Sequence, residues 1–106
     1  MSKDRLTALL AERVMGWSAA PDRFLVGNRR WISRWRFQPE QNLRDAFRLL
    51  EEAKPEHYSM GSEKGGVFWV RVEIAGVVGE ARHASKPRAV TFAVARALGI
   101  DVGVNG

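Results

Sequence analysis

Residues 65–78 read GGVFWVRVEIAGVV, and the reading of this stretch decides the fold. Phe68, Val70, Val72 and Ile74 alternate with Trp69, Arg71 and Glu73. A period of two sends successive side chains to opposite faces, so the spacing predicts a strand over 66–74 with one apolar face. Gly65-Gly66 before it and Ala75-Gly76 after it are hairpin signals. Each reverses the chain, which places flanking strands over about 57–61 and 77–83, antiparallel to the middle one. The second face of the sheet must either be covered or expose Trp69, and the N-terminal helix is the natural cover.

Moving towards the C-terminus, Ser85 is the expected N-cap of a helix over about 86–98, with Pro87 in its first turn and Gly99 at its end. Ala89, Val90, Phe92, Ala93, Val94, Ala97 and Leu98 make it apolar on more than one face, as a central packing helix requires. Moving the other way, Leu43, Ala46, Phe47 and Leu50 form the stripe of a helix over about 39–53, expected to open at Pro39 and stop at Pro55. Asp45, Glu51 and Glu52 lie beside arginines on its polar face and read as solvated ion pairs. Trp31, Ser33, Trp35 and Phe37 alternate with Arg30, Ile32, Arg34 and Arg36. This predicts a strand over 30–37 that buries aromatics and displays guanidinium groups. Residues 18–29 read as an irregular connection with a turn at Gly27-Asn28. Leu6, Leu9, Leu10 and Val14 recur at helical spacing and predict a first helix over about 3–15, closed by Gly16, with Trp17 folding back onto the core. The order α-β-α-β-β-β-α gives one α+β domain over 1–106: a mainly antiparallel, three- to four-stranded sheet sandwiched between helices. The tail 101–106 is expected to fray.

Charge is concentrated. The chain has 17 basic and 12 acidic residues, a net charge of +5. Arg23, Arg29, Arg30, Arg34 and Arg36 fall between positions 23 and 38 with no acidic residue among them. The remaining 17 − 5 = 12 basic residues balance the 12 acidic ones. One segment therefore carries the net charge, which argues for a surface aimed at something acidic. There is no cysteine, so disulfides, thiolate metal sites and cysteine nucleophiles are excluded. No apolar run approaches the ~18 residues of a membrane span, and the N-terminus lacks a secretory apolar region. A cytoplasmic location without membrane contact follows as an expectation. His57 and His83 have no second ligand at metal spacing. Gly61 to Gly66 lacks the spacing of a phosphate-binding loop and reads as a hairpin. No catalytic constellation, cofactor or metal site is expected, and binding is favoured over chemistry.

LTALLAERVMGW at 6–17 resembles the opening of the phage ABA sandwich domain family, small proteins of phages and prophages. Trp35, Pro39, Ala46 and Phe47, then Pro87-Arg88-Ala89 through Ala97-Leu98, are similar to its later elements in order. The arginine-rich stretch is more basic than that family's pattern. The resemblance implies phage origin and the sandwich fold. It also implies an accessory protein of the host-cell cytoplasm, one that would engage a host or phage protein complex and inhibit a host defence system. Residues 42–98 also resemble a double-stranded-RNA-binding domain, in which the last helix opens with a basic cluster; Ser85, Lys86, Ala89, Ala93, Ala97 and Leu98 match, while Pro87 and Val90 depart.

The candidate partner-binding residues are Arg29, Arg30, Trp31, Arg34, Trp35, Arg36, Lys86 and Arg88. Interleaved arginine and tryptophan suit an acidic protein surface, or nucleic acid through phosphates and stacked bases. They equally suit an edge strand with arginines in water. An unpaired strand 30–37 would also allow a homodimer.

Overall fold

Two antiparallel meanders of different size carry the strands. The computed structural model describes residues 3–27 and 29–102. Helix α1 (Lys3–Leu10) continues into a π-helical turn (Ala11–Met15). The small meander follows: β1 (Ser18–Ala19), β2 (Arg23–Leu25) and β3 (Trp31–Ser33), then a 3-10 turn (Arg34–Arg36). After α2 (Leu43–Glu52) comes the larger meander of β4 (His57–Glu63), β5 (Val67–Ile74) and β6 (Val77–His83), and then α3 (Lys86–Ala97). The α+β class and the antiparallel three-stranded sheet agree with the expectation.

The alternation in 67–74 does set the larger sheet. Met60, Val70 and Ala81 pair across it, as do Tyr58, Val72 and Gly79. Partners across an antiparallel pair share a face, so this face is apolar, and α3 lies on it. Contact is close at Gly79, where any Cβ would run into the Ala93 carbonyl oxygen and the Ala97 backbone nitrogen. The other side of α3 meets α2, whose Ala46, Leu49 and Leu50 are buried. Packing on both sides is why α3 buries Ala89 through Ala95 and Ala97. The hydroxyl of Thr91, also buried, donates to the Pro39 carbonyl at 2.8 Å.

Helix ends follow local chemistry. Ser85 accepts from the Arg88 amide. At the C-terminus, Gly99 (φ 76°) turns left-handed, its N–H reaches Arg96, and Ile100 N–H reaches the Ala95 carbonyl, which is a Schellman closure. Helix α2 does not open at Pro39. Asn42 caps it by accepting from the Asp45 amide, and Asp45 in turn accepts from Gln38 N–H at 2.9 Å. A side chain that can accept a backbone N–H outcompetes proline's fixed φ as the start signal here.

Two placements differ from the sequence-based expectation. The helices lie on one side of the larger sheet: the opposite face, around Trp69, opens onto a cavity of ≈ 380 Å³ lined by strand residues alone. Trp69 is half-buried instead by Gly61, whose missing side chain leaves room for the indole. Helix α1 buries Leu6 and Leu10, and the guanidinium of Arg13, in the π turn, donates to the Leu98 carbonyl. The predicted strand 30–37 is only three residues long and belongs to the small meander, paired with β2 and not with the larger sheet. Part of the stretch read as irregular is thus β1 and β2. Of the tail, 103–106 lie outside the described residues, as does Asn28 of the expected turn.

Candidate functional site

The small meander is anchored by three aromatic rings. Trp17, released from the π turn by Gly16 (φ 73°), packs on Phe24 of β2 and on Phe37, with centroid separations of 5.8 and 5.1 Å; Phe24 and Phe37 are 6.1 Å apart. Phe24 and Phe37 are fully buried. Ile32 pairs with Phe24, so its side of β3 faces the body of the protein.

That pairing inverts the expected orientation. Trp31 is 45% exposed, with the Arg23 guanidinium 4.3 Å above its ring, and Trp35, on the 3-10 turn, is 70% exposed. Arg34 turns inward: its Nε donates to the Ala20 carbonyl at 3.0 Å, its guanidinium lies 4.7 Å from the Phe24 centroid, and its backbone N–H reaches Asp22. Of the residues expected to face inward from 30–37, only Phe37 is buried. The physical reason is room: the pocket beside Trp17 takes two phenyl rings, and the indoles of Trp31 and Trp35 are left outside.

Arg30 and Arg36 converge with Arg48 of α2 around a depression of ≈ 140 Å³ whose apolar lining is Trp17, Val26 and Ile32. The Arg48 guanidinium lies 5.2 Å from the Trp17 ring centroid, a cation–π contact. Among the described residues no carboxylate pairs with these three guanidinium groups; ion pairs such as Arg23–Asp22, Arg71–Glu80 and Arg82–Glu63 lie elsewhere. Three uncompensated cations at one concave spot hold an anionic group well, because an arginine fork presents several donors in one plane. Arg29 is exposed at the turn between β2 and β3, where Val26 N–H reaches the Arg30 carbonyl at 2.7 Å.

Arg48 is not among the candidate residues that the sequence offers. It reads there as one more charge on a polar helix face, and only the fold brings it to Arg30 and Arg36. Asp45, expected in a surface ion pair, instead accepts from the Gln38 backbone N–H. Lys86 and Arg88 do not line the depression. Lys86 lies 5.5 Å from the Phe68 ring centroid, at the end of the larger sheet. His83 is structural: its Nδ1 accepts from Ser85 N–H, and its ring meets Phe92 edge-on at 6.1 Å. Among the described residues, no three His, Asp or Glu side chains are grouped to hold a metal ion, and no helix is long and apolar enough to cross a membrane.

The fold is shared with a phage protein. The crystal structure of a phage protein from Bacillus cereus ATCC 14579 superposes with a TM-score of 0.79 at 16% sequence identity, covering 97% of this chain and 93% of that one. At that identity the likeness is one of fold. No family model and no curated protein matches the chain.

Proposed function

We propose that this is a non-enzymatic phage accessory protein that binds an acidic protein partner through the cationic depression and the tryptophans beside it. The observation that carries the reading is the convergence of Arg30, Arg36 and Arg48 without a carboxylate, next to Trp35 at 70% exposure and Trp31 at 45%. Arginine and tryptophan dominate the energetics of protein interfaces, and leaving an indole in water without a partner forgoes the burial of a large apolar surface. In this reading the chain belongs with the phage ABA sandwich proteins and acts in the host cytoplasm, where its partner is a host complex such as a defence assembly.

Direct binding of nucleic acid is the second reading, and the same depression supports it: guanidinium groups for phosphates, an exposed indole for a base. Pull-down from host lysate with and without nuclease separates the two. A protein partner stays bound after nuclease and resists moderate salt. A nucleic-acid partner is lost with nuclease, and its affinity falls with salt at a log–log slope of about −2 to −3 for three phosphate contacts. Replacing Arg30, Arg36 and Arg48 together with Gln abolishes capture in either case. Capture undiminished by that triple variant overturns the site.

A further inference from the structure

Strand β4 is the open edge of the larger sheet. Among the described residues its partner in the ladder is β5 alone. The other edge, β6, is partly occupied: the Arg96 guanidinium donates to the Glu80 carbonyl at 2.7 Å. Edges are normally blunted by lysine, proline or a bulge. The seven residues of β4, HYSMGSE, contain neither lysine nor proline, and their pairing with β5 runs without a bulge. Helix α3 lies over β5 and β6, so the β4 side chains on that same face extend past its cover. Tyr58 is 58% exposed there, and Met60 is half-buried.

We propose that a second copy of this chain occupies the edge, β4 against β4, in an antiparallel pair centred on Met60, giving one continuous six-stranded sheet. Only one register pairs all seven residues: His57 opposite Glu63, Tyr58 opposite Ser62, Ser59 opposite Gly61, and Met60 opposite itself. That register is its own mirror under a twofold axis, as an isologous interface requires. Each end of the pair also sets the His57 imidazole, a hydrogen-bond donor, beside the Glu63 carboxylate of the other copy, which in its own chain pairs with Arg82. Opposed residues share a face, so Tyr58 and Met60 of both copies meet in one apolar strip on the helix side. The strip fills the gap between the two α3 helices and removes the exposed tyrosine from water. This inference is independent of the arginine site.

Sedimentation of the intact chain over a concentration series tests it directly, and the expected result is a reversible monomer–dimer equilibrium with no larger species. The chain has no cysteine, so Met60→Cys introduces a single thiol at the axis, within disulfide reach of its symmetry mate. Under mild oxidation it crosslinks far faster than Val78→Cys, an exposed position on β6. His57→Glu sets like charges at both ends of the pair and weakens the dimer by about 3- to 10-fold. A chain that stays monomeric at millimolar concentration overturns the proposal. So do equal crosslinking rates for the two cysteine variants, or open-ended oligomers, which would mean a head-to-tail contact.

Discussion

Arg34 and Arg36 are two positions apart and have opposite roles. Arg34 Nε donates to the Ala20 carbonyl and its guanidinium rests on Phe24, so it fastens the β1–β2 turn to the aromatic anchor. Arg36 borders the cationic depression and is exposed. Arg34→Ala is therefore expected to lower stability by about 1–3 kcal/mol, read by denaturant titration, because it leaves a carbonyl without its donor. Partner capture should survive that change in the folded protein. Arg36→Gln is expected to do the reverse, weakening capture at unchanged stability. Composition alone marks both arginines as one basic cluster. It cannot separate them, because a two-residue period names two faces without saying which one is wet. Aromatic residues are usually the buried ones, and that prior points the wrong way for Trp31 and Trp35, where Phe24, Phe37 and Trp17 already fill the available space.

At the scale of elements, the larger meander and α3 were legible in the sequence because pattern, turns and caps agree. Phe68, Val70, Val72 and Ile74 alternate over eight residues of β5, and Ser85 and Gly99 bracket α3. The small meander was hidden because its strands are two or three residues long, too short for a period to register. The start of α2 moved from Pro39 to Asn42 because Asn42 offers an acceptor to the first turn. One seam between elements carries little tolerance. Gly79 lets β6 approach the α3 backbone at Ala93 and Ala97, and neither of those backbone atoms can move without displacing the helix. Gly79→Ala is expected to destabilise the protein by about 1–3 kcal/mol through overpacking, measurable as a lower thermal midpoint with the arginine site intact.

For the whole molecule, layering explains where binding can occur. The order is larger sheet, α3, then α2, and the helices leave the Trp69 face of the sheet open. The net charge of +5 is not spread over this body; much of it projects from the small meander and the adjoining face of α2. The cationic site rests on the edge of the core at Trp17, so Arg30 and Arg36 can be neutralised without removing a core contact, whereas replacing Arg48 also gives up its cation–π contact with Trp17. How the layers stack was not legible in advance, because the period of β5 gives Trp69 a face without saying whether a helix covers it, and nothing in the chain indicated that Gly61 would shelter it.

The ring trio of Trp17, Phe24 and Phe37 is the hinge pin between the two meanders. Beyond it β2 and β3 rest on partly buried side chains such as Ile32, whereas β5 buries Val70 and Val72, lies between two long neighbours and runs under α3. Amides of β2 and β3 should therefore exchange with deuterium through sub-global openings of lower free energy than those protecting β5. A partner clasping the depression from outside would suppress these excursions, so slowed exchange at Phe24, which does not line the depression, would report its arrival.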